Sequence, residues 1–549
     1  MTQAAEAVDL RGGPVPDILD RSVERYTARR ALTFLGRAWT YGELGALVDR
    51  VAAGLQAQGV GKGTKVGLCL PNTPYSVIFF FAVMKAGGTV VNFNPLYVER
   101  EIAGQIADSG VAMMVVPDLK MIHGKVLAAS QGTSVKRIVM CPLSGVLPAM
   151  KGMMYTLLRR AEQARVKAGD GLHIFFRELL AGPARPTPVV IDPARDIALL
   201  QYTGGTTGIP KGAMLTHDNV GTNTRQVILH ADCERMGVKG VVGLLPLFHV
   251  FAMQTVMLIP LALGAVIHLM PRFERGRLID LIERERPTML PGVPTLYTAL
   301  NAAPEIAGRD LSSLTLSICG GAPLPHEVRT TFEALTGCKL VEGYGLSEAS
   351  PVVTAGQPLG VVKPDSVGTP LPGTVIEIRD LEDPHRILGP GQKGEVTVRG
   401  PQVMAGYYNR PRETADAFID GALRTGDVGY LDGDGYLFLL DRIKDVIISG
   451  GFNVYPRTIE EALYRHPAVA EAVAIGVPDS YRGEAPKAFV TLREGASASP
   501  EELLAFLEGE VSKVEMPKAV EIRSNLPKSL VGKLSKKELV EEEKAKTGS

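Results

Sequence analysis

The sequence predicts an α/β protein in two parts: a large N-terminal domain of parallel sheets covered by helices, then a small C-terminal α+β domain. Three observations carry this. The chain has 549 residues, which predicts more than one domain. Strand and helix signals alternate through the first hundred residues, as they do where helices join the strands of a parallel sheet. After residue 440 a separate set of short strand and helix signals begins.

In order, Thr40-Tyr41-Gly42-Glu43 reads as a capping box, with hydroxyl and carboxylate satisfying each other's amides. Behind it Leu44, Leu47, Val48, Val51 and Leu55 share one helical face, and Gly59 supplies a stop. Strands follow at 65–70, 89–93 and 112–116, with a buried helix at 75–85. Residues 141–188 break the rhythm. They combine Met150, Met153, Met154, Leu157 and Leu158 with Lys151, Arg159, Arg160, Arg165 and Lys167. A solvated helix capping the domain is the favoured expectation, over an amphipathic helix that touches a membrane or partner. Residues 241–270 carry no charge, long enough for a membrane span, but Pro246, Pro260, His249, Gln254 and His268 interrupt them. The expectation is a buried helix at 250–259, a turn at Gly264 and a strand at 265–269.

In the C-terminal part Pro456 opens a helix, strands follow at 470–475 and 487–492, and Ser499-Pro500-Glu501-Glu502 is a second capping box. A strand at 519–523 leads into a loop at 524–534, and Ser535 caps a last helix. The resulting division is 1–440, a junction at 441–445, and 446–549.

Fifty-nine basic residues balance fifty-nine acidic ones, which argues against a nucleic-acid footprint. The five cysteines show no metal-binding spacing and fit buried thiols in a reducing cytoplasm. The first residues show no apolar signal-peptide core. The expected location is the cytoplasm, with peripheral contact at the inner membrane face and a homodimer both left open.

The most informative stretch is Tyr202-Thr203-Gly204-Gly205-Thr206-Thr207-Gly208-Ile209-Pro210-Lys211-Gly212. Its glycines, hydroxyls and lysine after an apolar strand suit a polyphosphate. It is not the nucleotide-hydrolase P-loop, because Pro210 and Gly212 flank the lysine where that motif needs glycine and a hydroxyl residue. Nor does its glycine spacing fit the dinucleotide motif.

This loop resembles the phosphate-binding signature of the adenylate-forming enzymes, which include acyl-CoA synthetases, amino-acid adenylation domains and firefly-type luciferases. Four further segments match in order: Gly343-Tyr344-Gly345-Leu346-Ser347-Glu348, Arg424-Thr425-Gly426-Asp427, Asp441-Arg442-Ile443-Lys444-Asp445, and Pro527 to Lys533. The resemblance implies ATP, Mg2+ and coenzyme A as cofactors and a small carboxylic acid as substrate. It implies that Thr203, Gly204, Gly205, Thr206, Thr207, Gly208 and Lys211 hold the β- and γ-phosphates, and that Glu348 with Thr203 binds magnesium. Gly321, Ala322, Gly343, Tyr344, Gly345 and Ser347 would border the nucleotide. Asp427 would accept the ribose hydroxyls and Arg442 add a further contact. Lys533 would serve adenylation, after which a mobile small domain turns about Lys444 and brings Gly450 and Gly451 to line the thiol's path.

Leu245-Pro246-Leu247-Phe248-His249-Val250-Phe251 resembles the segment bordering the acyl pocket, with His249 near the carboxylate. Together with Asp441-Arg442 the motifs look most like bacterial medium- and long-chain fatty-acid–CoA ligases. An aryl or dicarboxylic acid, a fatty-acyl-AMP ligase that loads a carrier protein, and a membrane-associated lipid-binding or transport protein are the alternatives. Ser347, Asp441 and Leu534-Ser535 depart from the family's commonest residues, but none removes a catalytic group.

Overall fold

In the computed structural model, which describes residues 10–167, 169–203, 210–479, 481–528 and 534–546, the apolar runs of the first part become a seven-stranded sheet. Its order is His173–Phe175, Arg137–Cys141, Met113–Pro117, Lys65–Leu68, Thr89–Asn92, Ile197–Thr203 and Lys211–Thr216. Every neighbouring pair is parallel except the last, a hairpin that sets Thr203 opposite Lys211. A second layer contains two four-stranded sheets, linked through Met289, which bridges Val241 and Leu316.

The helix Pro74–Lys85 explains how these layers cohere. Every residue from Pro74 to Met84 is buried, so the helix is apolar all round and belongs to the core. The helix Tyr41–Ala57 packs beside it. Its capping box is formed as expected: Glu43 N donates to Thr40 Oγ1 at 3.1 Å and Thr40 N to Glu43 Oε2 at 2.8 Å. Gly59, with φ +85°, follows its end.

An antiparallel sheet closes the large part, and within it Ala422–Leu431 pairs with Leu437–Arg442. The C-terminal part has its own five-stranded sheet and its own core, centred on Ile459, Leu463, Ala474, Val490 and Leu503. The Ser499–Glu502 capping box is present at the start of Pro500–Leu507.

One expectation needs correction. The helical run does not stop at 259; it continues to Ala262 with Pro260 inside it. A wide π turn at Met253–Leu258 precedes the proline, and the Ile259 amide bonds Gln254 O, five residues back. This wider turn accommodates a ring that would clash with a regular one. The helix Ala149–Leu158 is solvated, as expected. It lies on the surface, and its apolar residues point away from the protein. No helix among the described residues is long and apolar enough to cross a membrane. All five cysteines are free and buried.

Candidate active site

Gly321, Ala322, Gly343, Tyr344, Gly345 and Ser347, expected from the sequence to border a nucleotide, gather at or just after the carboxyl ends of two parallel strands, Leu316–Gly320 and Lys339–Gly345, the usual place for a site in an α/β sheet. Gly320 pairs with Gly343 across them. Gly321 leaves the first strand with φ +84° and precedes Ala322. At Gly345 a side chain has no room, because a Cβ would lie 2.0 Å from the Pro351 carbonyl oxygen. That contact lets the chain turn sharply into Ser347–Ala349, the short 3-10 turn that carries Ser347 and Glu348.

Tyr344 donates a 2.5 Å hydrogen bond to Asp427 Oδ2. The Asp427 amide donates to Thr425 Oγ1 at 3.1 Å. Strand pairing puts Arg442 opposite Asp427, and their charged groups stand 3.2 Å apart. Burial raises the Asp427 carboxyl above its ordinary range, while Arg442 and Tyr344 oppose that shift. A buried carboxylate with one hydrogen-bond donor and one cation has further lone pairs to offer a diol.

The phosphate-side hairpin is described up to Thr203 and from Pro210 onward; Gly204, Gly205, Thr206, Thr207 and Gly208 lie outside the described residues. Lys211 Nζ stands 5.2 Å from the centre of the Tyr407 ring. The hydroxyl of that ring donates to Glu348 Oε1 at 2.7 Å. Tyr407 therefore joins the lysine of one motif to the carboxylate of another. Its segment is fixed by backbone bonds to the strand Lys211–Thr216, among them Met214 N to Gly406 O and Tyr408 N to Gly212 O. Sequence reasoning missed Tyr407, because Gly406-Tyr407-Tyr408 belongs to none of the motifs read from the sequence.

His249 precedes the buried helical run, and its carbonyl accepts from Met253 N. Gln201 donates to Phe248 O and accepts from Asn92, each at 3.2 Å. A narrow, largely apolar cleft lies beside this segment. Leu70, Phe80, Leu247, Phe248 and Met257 line it, with Asn92 as a polar group. Gln254 ties the helix to the Glu348 turn by donating to Ser350 O at 2.9 Å.

At the junction Asp441 and Arg442 complete a strand, and Lys444 is exposed on the 3-10 turn Ile443–Asp445. Asp441 accepts from the amide of Arg457, at the start of the helix Pro456–Tyr464, at 3.1 Å. Lys536 Nζ reaches the same carboxylate at 3.4 Å and Glu460 at 3.2 Å. Gly450 and Gly451 both have positive φ and form the two-residue turn between Ile447–Ser449 and Phe452–Val454. They do not contact the residues around Asp427 in any described interaction. Lys533 lies outside the described residues, although Lys528 and Leu534 pair on either side of its loop.

Glu348 is a lone carboxylate: among the described residues no cluster of three or more His, Cys, Asp or Glu side chains is placed to bind a metal. This fits a magnesium ion that takes much of its coordination from substrate phosphates and water. Two charged groupings result, Lys211–Tyr407–Glu348 and Arg442–Asp427–Tyr344, and such groups suit the binding of a nucleotide. Fold and site together define an adenylate-forming ligase with a separate C-terminal domain.

The chain belongs to the AMP-binding enzyme family: residues 19–408 match the family itself and 458–533 its C-terminal domain. It is 42% identical over 534 residues to a long-chain-fatty-acid–CoA ligase of Bacillus subtilis, covering 96% of this chain and 94% of the relative. It is 37% identical over 511 residues to a feruloyl-CoA synthase of an Amycolatopsis species, covering 92% and 94%. The crystal structure of ATP-bound MatB from Rhodopseudomonas palustris superposes with a TM-score of 0.83 at 28% identity, covering 96% and 98%. The protein is an enzyme, an AMP-forming ligase that makes acyl-CoA through an acyl-adenylate, and its cofactors are ATP, Mg2+ and coenzyme A.

Proposed function

We propose that the acid is a medium- or long-chain fatty acid. The observation that carries this reading is the charge-free wall that starts at His249 and runs to Ala262, beside a cavity lined by Leu70, Phe80, Leu247, Phe248 and Met257. The long-chain-fatty-acid–CoA ligase relatives support the same class. A pocket of this kind changes selectivity by only about 1–3 kcal/mol per methylene, so it favours a range of lengths.

In the first step a carboxylate oxygen of the acid attacks the α-phosphorus of ATP and pyrophosphate leaves. In the second, the coenzyme A thiolate attacks the acyl carbon and AMP leaves. Two anions must meet in the first step, so the protein's task is to neutralise charge. Thr203 to Gly208 and Lys211 hold the β- and γ-phosphates. Glu348 and Thr203 hold the magnesium ion, which supplies charge neutralisation when bound. Gly321, Ala322, Gly343, Tyr344, Gly345 and Ser347 border the base. Asp427 accepts the ribose hydroxyls with Arg442 beside it. Lys533 donates to the reacting phosphate, a contact worth roughly 3–4 kcal/mol. His249 lies near the acid's carboxylate.

The large domain comprises 1–440, the hinge 441–445 and the lid 446–549. After adenylation the lid turns about Lys444, and Gly450 and Gly451 approach the thiol. We place the enzyme in the cytoplasm. The test is to incubate the protein with ATP, Mg2+ and a panel of acids, with and without coenzyme A, and to read products by mass spectrometry. Acyl-CoA from fatty acids is expected. Acyl-adenylate alone would favour carrier-protein loading, turnover confined to aryl or dicarboxylic acids would overturn the fatty-acid assignment, and no product would favour the lipid-binding alternative.

A further inference from the structure

The helix Ala149–Leu158 has its amphipathicity turned inside out. Met150, Met153, Met154, Leu157 and Leu158 recur at the i, i+3, i+4, i+7, i+8 spacing of a single face. In a globular domain that face turns inward. Here the five residues are 72, 61, 49, 70 and 74% exposed in that order. The inward side is instead built on Gly152, where a Cβ would lie 2.6 Å from the Ser144 carbonyl oxygen. This close approach fixes the rotation of the helix, because any larger residue there would lift it away. Leu35, itself exposed at the tip of the hairpin between Arg30–Phe34 and Arg37–Thr40, extends the apolar surface; its carbonyl accepts from Lys151 at 3.0 Å.

The surroundings are cationic. Residues 150–167 contain Lys151, Arg159, Arg160, Arg165 and Lys167 against one acidic residue, Glu162, which pairs with Arg159. Arg160, Arg165 and Lys167 are exposed. A ridge of long, flexible apolar side chains rimmed by cations matches an anionic bilayer surface: the side chains enter the acyl boundary and the cations meet lipid phosphates.

We propose that this helix is a peripheral membrane-docking element, and that its occupant is the surface of an anionic lipid bilayer. The surface itself does not depend on which acid is activated. Its use, bringing the enzyme to the phase into which apolar acids partition, rests on the fatty-acid reading above.

The experiment is flotation of the full-length protein with vesicles of phosphatidylcholine alone or with about one-third phosphatidylglycerol, at low and high salt. The wild type should float with the anionic vesicles and be released as salt rises. Two double variants, Met153→Glu/Leu157→Glu and Arg160→Glu/Arg165→Glu, should each lose binding by at least about tenfold. Both should keep the wild-type thermal midpoint and the wild-type rate on free octanoate without vesicles. Wild-type binding by both variants, or no binding by the wild type, overturns the proposal. So does a wild-type dimer that Met153→Glu/Leu157→Glu converts to monomer, because that outcome assigns the ridge to a second copy. Absence of octanoate turnover would count against the fatty-acid reading alone, and flotation would still decide the surface.

Discussion

The Tyr407 hydroxyl donates a 2.7 Å hydrogen bond to Glu348 while its ring faces Lys211 at 5.2 Å. One aromatic side chain thus sits between the cation proposed for the phosphates and the carboxylate proposed for magnesium. Glu348 is then oriented before substrate arrives, which lowers what binding must spend on order. Replacing Tyr407 by Phe keeps the ring and removes the bond. Hydrogen bonds to charged groups contribute roughly 1.5–3 kcal/mol, so Tyr407→Phe should lower the rate of pyrophosphate release about ten- to a hundredfold and raise the Mg2+ concentration for half-maximal rate. An unchanged magnesium titration would separate Tyr407 from the metal.

Asp427 faces both Tyr344 and Arg442. Asp427→Asn removes the charge that Arg442 meets and halves the acceptor capacity. The KM for ATP should rise more than tenfold, a loss on the order of 2 kcal/mol. The rate of thioester formation from a supplied acyl-adenylate should fall less. Isothermal titration with ATP and a thioesterification assay check the two parts separately.

The lysine and the hinge proposed for the lid should have opposite signatures. Lys533→Ala should abolish adenylation and spare thioester formation from acyl-adenylate. Lys444→Pro should spare adenylation and impair thioesterification, because a fixed φ restricts rotation where the chain must turn. Equal loss of both half-reactions in the first variant, or an unchanged overall rate in the second, would contradict these roles.

Glu342 gives a pH signature. Burial raises its carboxyl from 4.5 to about 7, against the opposing field of Arg457. Because the folded value is the higher one, the folded protein holds a proton here that the unfolded chain releases. This group's contribution therefore falls as pH rises from about 4.5 to about 7 and then levels off. Glu342→Gln should remove that slope, on the order of 3 kcal/mol between its two ends. Urea unfolding of both proteins at pH 5 and pH 8 checks it; parallel changes would show that Glu342 is not the source.

Local signals carried most of the elements. The capping boxes at Thr40–Glu43 and Ser499–Glu502 depend on residues three apart, and both are formed. The apolar run at 75–85 reads as a buried helix without any knowledge of its neighbours. Asp441 shows where this kind of legibility stops. In sequence it departs from a common glycine; in the fold it accepts from the Arg457 amide and meets Lys536, ninety-five residues on. Tyr407 is of the same kind, since its meaning lies in two partners that are each distant along the chain.

Spacing, glycines and charge types act over a few residues, so the two-part α/β organisation and the ordered motifs of an adenylate-forming enzyme are legible in the chain alone. Folding settles what local pattern cannot: that Tyr407 joins Lys211 to Glu348, that Pro260 lies within a helix, and that the Met150–Leu158 ridge faces outward. Periodicity places residues on one face of a helix but does not say which way that face turns. Packing decides it, here through the contact of Gly152 with the Ser144 carbonyl.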